Sequence, residues 1–330
     1  MAVNDGSGWS GIGWDGWTDL SLIRARLDAG ADPNSGVYFH ERPLHAAAER
    51  GSPEVVAELA RHVDDIDAER EGHTALWEAV FANRPGNARA LVAAGADPWR
   101  PMMTGWSPGR LSLATPTPDL FSLPDGEAGL STAEAAAVAE ARRLIAALGR
   151  FDDDGFSLAC TAGITAAEAA QRLEAVPVDH ADVEKFMEDP WSNHDYNLAV
   201  VGTDVPGESV IGVTDVPGGC VVFQPWYFAA SNPGVIKRLS VGTVCYGLFA
   251  NPKSGNQGAE ARDGVIEEWD THPGGGSVYP EQPAEEILTT YLYHGEAVAY
   301  CYAGASLRPT DPRSISGKPD MWLRLPEHLL

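Results

Sequence analysis

Residues 42–59 read RPLHAAAERGSPEVVAEL, and this stretch decides the fold of the first third of the chain. It contains two short segments with helical spacing of apolar residues, separated by a Gly-Ser pair. Pro43 and Pro53 fall in the first turn of each predicted helix, where the missing N–H of proline costs nothing. Leu44 and the alanines that follow it form a narrow apolar face, which lets a neighbouring helix approach closely. The stretch therefore predicts two packed helices.

The sequence around this stretch repeats at a nearly fixed period. GADPN at 30–34 returns as GADPW at 95–99, and a degenerate copy, VDDID, lies between them at 63–67. The three copies begin at positions 30, 63 and 95, so the two steps between them are almost equal. A period of about 33 residues is typical of a repeat stack rather than of a single folded core.

The helical half of the repeat keeps the same period. RPLHAA at 42–47 is followed by TALWEA at 74–79, and a worn third copy begins with SPGRL at 107–111. The hydroxyls of Thr74 and Ser107 can cap the helices of their copies, and Gly30 and Gly95 can supply the left-handed residue that ends a helix. The Asp-Pro and Asp-Asp pairs that follow then turn the chain into a projecting loop.

This combination of period and motif resembles the ankyrin repeat family, with its T-P-L-H-x-A signature and its G-x-x-E-V-V-x-x-L second helix. The resemblance implies an all-α stack of about three repeats, which binds proteins through its projecting loops and concave surface. Before Leu20 the signature is missing, and we expect the tryptophan-rich lead to cap that end of the stack irregularly. After Ala114 a Pro-rich insert delays the next helix to 132–148, which we expect to close the array.

The second half of the chain has a different character. We predict strands at 156–162, 198–201, 209–213, 219–224 and 243–250, and a hairpin turn at Arg262-Asp263-Gly264. Helices are predicted at 166–173, 233–239 and 284–293, followed by a further one at 298–303. These elements indicate an α+β domain with a mainly antiparallel sheet, and we place the division at an ankyrin domain of 1–150 and an α+β domain of 151–330.

Part of this second half also resembles a small uncharacterised domain found in many actinobacterial proteins. The similar motif is G-x-T-x-x-E-x-x-x-R-L at 163–173, followed by a strand that ends at Trp226, a helix that ends in Arg238-Leu239-Ser240, and a strand-turn-strand pair. The resemblance covers about half of the chain. It implies a fold unit and an actinobacterial source, but no activity.

The charge of the chain limits its partners. Asp and Glu number 47 against 23 Lys and Arg, which gives a formal net charge of −24. Such a surface repels phosphates and anionic lipids, so we expect no nucleic acid or membrane partner. It favours a basic protein partner, although adaptation for solubility explains the same charge equally well.

The N-terminal residues show no signal-peptide pattern, and no stretch approaches the length of a membrane helix. The four cysteines lie far apart, without a CxxC pair or a histidine at zinc-ligand spacing. We therefore expect buried free thiols in a cytoplasmic protein, with no metal and no cofactor. The acidic run at 152–154 superficially suggests a calcium loop, but the later ligands of such a loop are missing, so a plain turn is favoured.

Candidate partner-binding residues lie in the predicted loops and at the start of one repeat helix. Aromatic side chains, Met and Arg are the residue types that anchor protein interfaces. We expect about half of the aromatic candidates to be buried within the protein instead. The candidates are Tyr38, Phe39, His40, Arg70, Glu71, Trp77, Trp99, Met102 and Trp106.

A second candidate site follows the strand at 243–250. Gly247 and Lys253-Ser254 have the outline of a phosphate-binding loop, but Pro252 replaces the second glycine and lacks the N–H that would bind phosphate. An ordinary hairpin connection is therefore favoured over a ligand-binding loop, and a solvated strand end is favoured over an acid–base or metal site beside His272. The candidate ligand-binding residues are Asn251, Lys253, Asn256, Gln257, Arg262 and His272.

Three functions fit these observations. The first is a protein-interaction module that binds a basic partner through the repeats, for example an immunity or antitoxin protein. The second is an enzyme or small-ligand domain in 155–330, with the repeats recruiting its substrate. The third is a rigid fusion whose second domain extends the stack and self-associates. No nucleophile motif appears in the sequence, and we assign no catalytic residue.

Overall fold

The computed structural model describes residues 8–36, 42–149, 151, 155–179, 183, 207–225, 227–251 and 253–330. Its contacts divide the chain into two compact units. The first comprises residues 1–138 with 277–292, and the second comprises residues 139–276 with 293–330. A segment from the second half of the sequence thus belongs to the first unit. Separate domains at 1–150 and 151–330 stay a prediction.

The first unit is a stack of helix pairs. The helices are α1 (Leu20–Asp28), α2 (Pro43–Arg50), α3 (Pro53–Ala60), α4 (Ala75–Phe81), α5 (Pro85–Ala93) and α6 (Pro108–Ser112), together with the first part of α7 (Thr132–Leu148), whose residues from 139 onward belong to the second unit. In the first unit, α2 packs on α4 and α4 packs on α6, while α3 packs on α5. The predicted helical repeats are confirmed.

Local capping explains where these helices begin and end. The side-chain oxygens of Ser52, Thr74 and Ser107 accept hydrogen bonds from the backbone N–H three residues later. Gly30 and Gly95 have φ of 87° and 108°, so the glycines predicted to end α1 and α5 are in the left-handed region. The repeat motif is therefore a set of start and stop signals as well as an apolar pattern.

The tryptophan-rich lead packs on the stack, as predicted. Trp9 and Trp17 are buried in the same core as the repeat helices, and their rings stack with centroids 6.0 Å apart. The indole N–H of Trp9 donates to the carbonyl of Asp32 at 2.7 Å. Trp14 is exposed, and the Arg50 guanidinium lies 4.4 Å from the centroid of its ring.

The second unit contains a sheet of eight antiparallel strands. The strands are β1 (Ser157–Ala162), β2 (Val176–Pro177), β3 (Val210–Val216), β4 (Gly219–Gln224), β5 (Val244–Asn251), β6 (Gly255–Arg262), β7 (Val265–Thr271) and β8 (Met321–Arg324). Their order is β2-β8-β3-β4-β1-β5-β6-β7. This sheet confirms the predicted α+β class. The strand predicted at 198–201 lies outside the described residues.

Helices cover both faces of this sheet. Alternate residues of each strand point to opposite sides, so each strand contributes side chains to the contacts on both faces. Helices α8 (Ala166–Arg172) and α9 (Pro233–Leu239) share a core with Ala159 of β1. Helix α11 (Ala297–Gly304) contacts β1 and β5, and its Cys301 is fully buried. The remaining helices of the described residues are α10 (Ala284–Leu292) and α12 (Arg313–Ser316).

The β6–β7 hairpin follows its predicted turn. Asp263 and Gly264 form the two-residue connection, with φ of 50° and 79°, as the favoured twist of such hairpins requires. The hairpin connection favoured after the strand at 243–250 is also confirmed. Asn251 pairs with Gly255, so β5 and β6 are joined by a tight hairpin.

Asn87 should be the strongest single polar contributor to the stack. Its buried amide nitrogen lies 3.2, 2.9 and 3.0 Å from the carbonyl oxygens of Ala47, Ala48 and Gly51. We expect Asn87→Ala to lower the free energy of unfolding by about 2 kcal/mol, since buried carbonyls lose their donor. Urea unfolding followed by circular dichroism measures this. The exposed Arg89→Ala on the same helix is the control, and equal losses for both variants would contradict the prediction.

Candidate functional site

Hydrogen bonds between successive repeats hold the projecting loops of the first unit. The backbone N–H of Asp64 donates to the Asn34 side chain at 2.9 Å, and the N–H of Asp97 lies 3.3 Å from both Asp67 carboxylate oxygens. Both pairs are 30 residues apart, so the same contact recurs from one repeat to the next. Burial raises the pKa of Asp67, against the effect of the Asp97 N–H. The loops are therefore a connected surface.

This loop surface is acidic. Arg100 is engaged within it, because its guanidinium bonds the carboxylate of Glu69 at 2.7 Å. The other charged atoms of the loops are mostly carboxylates in contact with solvent. The exposed acidic residues are Asp32, Asp64, Asp65, Glu69, Glu71 and Asp97.

The predicted partner-binding residues fall into different environments. Tyr38, Phe39 and His40 lie outside the described residues. Glu71 is exposed and has a φ of 53°, and Arg70 is half-buried with its guanidinium 3.6 Å from the Glu71 carboxylate.

Two further candidates, Trp99 and Met102, are half-buried. The sulfur of Met102 lies 3.7 Å from the hydroxyl of Thr74. The binding role of these residues stays a prediction.

The other two tryptophan candidates are fully buried. Trp77 packs between His73 and Phe81, with ring centroids 6.0 and 6.5 Å away. The Trp106 indole donates to the carbonyl of Ala284 at 3.0 Å. These two side chains therefore belong to the core of the stack, as expected for about half of the aromatic candidates.

Ala284 belongs to a segment whose role the sequence analysis missed. Residues Ser277–Leu292, here called the arm, are part of the first unit. The arm passes through a turn, in which the N–H of Gln282 donates to the carbonyl of Tyr279 at 3.1 Å, and then continues as α10. Its apolar side chains join the core of the repeats. Val278, Ile287, Leu288 and Tyr291 are buried there.

The stack and the arm exchange specific hydrogen bonds. The Thr104 hydroxyl lies 2.7 Å from the carbonyl of Gln282 and 3.2 Å from that of Pro280. The Tyr291 hydroxyl donates to the side chain of Asn83 at 2.9 Å. Together with the indole of Trp106, these contacts span the whole length of the arm.

A buried histidine pair lies where the arm meets the second repeat. His73 Nδ1 lies 2.8 Å from the Glu78 carboxylate, and its Nε2 lies 2.8 Å from the carbonyl of Val278. Both partners are acceptors, so only the protonated ring donates to both. Burial lowers the pKa of His73, but the hydrogen bond and charge of Glu78 more than offset burial, and the pKa is raised.

Neighbouring His45 is in the opposite situation. Its Nε2 donates to the carbonyl of His73 at 3.0 Å, while Nδ1 has no hydrogen-bond partner among the described residues. Burial lowers the pKa of His45. Burial thus favours the neutral form of His45, whereas the Glu78 carboxylate favours the protonated form of His73.

The second unit holds the candidate ligand-binding residues in separate local contacts. Asn251 accepts the N–H of Lys253 at 2.9 Å, a turn contact, and its amide lies 3.4 Å from the side chain of Gln257. Asn256 donates to the carbonyl of Pro273 at 3.2 Å. The His272 ring lies 3.1 Å from the carbonyl of Asn256. The hairpin thus brings Asn256 and His272 together.

Arg262 is engaged elsewhere. Its guanidinium pairs with Glu260 and Glu267, each at 3.1 Å, and these carboxylates raise its pKa, with Glu267 the larger cause.

Two cavities adjoin this hairpin. One has a volume of about 280 Å³ and is lined by Asn256 and Glu296 among apolar residues. The other is an open cleft of about 310 Å³, where Gln257 meets Phe228, Trp269 and Asp270. Lys253, Arg262 and His272 line neither of them.

Two further findings concern chemistry and membranes. All four cysteines are free and buried, and burial raises their pKa, to about 12 for Cys245. In the described ranges, no group of three or more His, Cys, Asp or Glu side chains could hold a metal ion. Across the same residues, every helix is too short or too polar to cross a bilayer.

Comparison with known proteins identifies the repeats. Residues 17–102 match the ankyrin repeat family in three copies. No curated protein matches the chain. The first third of the chain therefore carries ankyrin repeats.

The stability of the first unit should depend on the charge of His73. The pKa of His73 is raised in the folded chain above its unfolded value of 6.5. The stabilisation that the protonated ring contributes is therefore complete below pH 6.5 and is lost as the pH rises through the folded-state pKa. We expect the wild-type chain to lose about 1 kcal/mol above pH 6.5, because the neutral ring keeps only one of its two hydrogen bonds.

Urea unfolding from pH 6 to 9 measures this loss. His73→Gln should lose less over the same interval, and the exposed His62→Gln is the matched control. A His73→Gln variant as pH-sensitive as the wild-type chain would contradict the assignment.

Proposed function

We propose that this protein binds a basic protein partner through the acidic projecting loops of its ankyrin repeats. The observation that carries the proposal is that three ankyrin copies join their loops into one connected surface whose exposed side chains are mainly carboxylates. Such a surface steers a cationic partner during encounter and rejects acidic ones. The half-buried Trp99 offers an aromatic anchor among these charges.

One form of this role is an immunity or antitoxin protein that blocks a basic toxin in the cytoplasm. The excess of acidic residues, with a formal charge of −24, supports that form.

Charge reversal in the loops tests the proposal. The full chain serves as bait for lysate of the cells that produce it, beside an Asp64→Lys/Glu71→Lys variant. We expect the loop variant to retain the captured protein at least 10-fold less well, since attraction becomes repulsion.

The control is Asp125→Lys/Glu127→Lys, which makes the same charge change at exposed positions outside the projecting loops. Equal retention by the loop variant and this control would refute a role for the loops. Retention that does not weaken at higher salt would refute a basic partner.

A second candidate function is binding of a small organic ligand in the 310 Å³ cleft of the second unit. The observation that favours it is the exposure of Phe228 and Trp269, at 56% and 60%, beside the Asp270 carboxylate. Aromatic faces next to a carboxylate suit an organic cation.

A library of alkylammonium and guanidinium compounds, followed by thermal shift, tests this alternative. Binding should fall about 10-fold in Trp269→Ala, the change expected when a cation–π contact of about 1–2 kcal/mol is lost. No stabilising compound, or equal binding by the variant, would refute it.

A further inference from the structure

The arm leaves and rejoins the rest of the chain at one point. The backbone N–H of Gly295 donates to the carbonyl of Gly274 at 2.6 Å, so the two ends of the excursion are bonded to each other. Gly274, Gly276 and Gly295 have φ of 70°, 92° and 78°, a conformation that glycine adopts without steric cost. The arm is therefore an excursion that a backbone hydrogen bond closes at its base.

The stack recognises the first, non-helical half of the arm through the arm's main chain. His73, Thr104 and Trp106 direct their side-chain donors at carbonyls between Val278 and Ala284. Every one of these acceptors is a backbone group, and any peptide carries such groups. The contacts therefore recognise the path of the main chain more than a particular sequence.

The helical half of the arm supplies the apolar contacts. Ile287, Leu288 and Tyr291 are 0–5% exposed, and the Tyr291 ring meets Phe81 edge-on with centroids 5.6 Å apart. The opposite side of the helix is acidic and exposed at Glu285. This half therefore has the form of an amphipathic helix seated in an apolar groove.

We propose that the groove formed by His73, Phe81, Asn83, Thr104 and Trp106 is a peptide-binding site, with the arm as its built-in and exchangeable occupant. The external ligand is a partner segment of the same chemistry: a turn-forming stretch of about six residues followed by a helix with apolar side chains at i, i+1 and i+4. This inference rests on the proposed function, because it specifies which kind of segment the repeats bind.

Competition with the tethered arm sets the affinity of such a ligand. A segment on a short tether has an effective concentration on the order of millimolar. An external peptide of equal intrinsic affinity therefore binds only in proportion to the fraction of molecules whose groove is vacant. Weakening the arm raises that fraction without changing the groove.

A synthetic isotope-labelled peptide of residues 277–292 is the direct probe. Titrated into the full chain, it should bind an Ile287→Ala/Tyr291→Ala variant about 10-fold more tightly than the wild-type chain, because the arm competes less. In that background Thr104→Ala should weaken binding of the peptide, whereas Thr104→Ser keeps the hydroxyl donor and should not. Absence of peptide binding to the folded arm variant would overturn the proposal.

If the arm variant does not fold, hydrogen exchange on the wild-type chain tests whether the peptide displaces the arm. Excess peptide should accelerate exchange of the arm amides and leave those of α4 unchanged. Arm amides that exchange at the same rate at every peptide concentration would overturn the proposal. Asp64→Lys/Glu71→Lys should bind the peptide normally, so failure of the groove and failure of the acidic loops give different results.

Discussion

A helix pair in a repeat stack cannot bury its apolar face alone, and this constraint governs the first unit. Interior faces are covered by neighbouring copies, but faces without a neighbour need other cover. Trp9 and Trp17 supply it from the lead, Val138 from the closing helix, and Ile287 and Tyr291 from the arm. The covering segments have no repeating sequence, because each packs on one particular surface. The repeat copies keep a common sequence, because each packs on another copy.

Buried main-chain groups impose the second requirement. The carbonyls at the end of α2 receive the amide of Asn87, and the arm carbonyls receive donors from His73, Thr104 and Trp106. These polar residues within the stack thus donate hydrogen bonds to buried backbone carbonyls. The exposed carboxylates of the loops remain available to an external partner. In the arm groove, the stack contacts a segment of its own chain in the way that it would contact a bound peptide.

In the second unit, the sequence predicts a turn correctly where adjacent residues alone form it. Asp263-Gly264 predicted a hairpin because its two φ values are set by two adjacent residues. The strand β8 is not predicted, because its pairing with β3 joins residues far apart in the sequence, such as Val213 and Met321. The hairpin connection favoured after residues 243–250 is confirmed, because Asn251 pairs with Gly255. The cavities beside Asn256 and Gln257 depend on several elements, so no local pattern indicated them.

The sequence by itself determined the repeat period, the helix caps and the left-handed glycines, because each depends on residues within one copy or on the identity between copies. Only the tertiary structure decided that Trp77 and Trp106 are buried and that residues 277–292 return to the stack. Exposure of a side chain depends on everything that packs on it, and the carbonyl that meets Trp106 is 178 positions away in sequence. A repeating sequence pattern indicates contacts between copies that follow one another along the chain. The arm makes a single contact between one segment and one surface, and such a contact leaves no repeating pattern in the sequence.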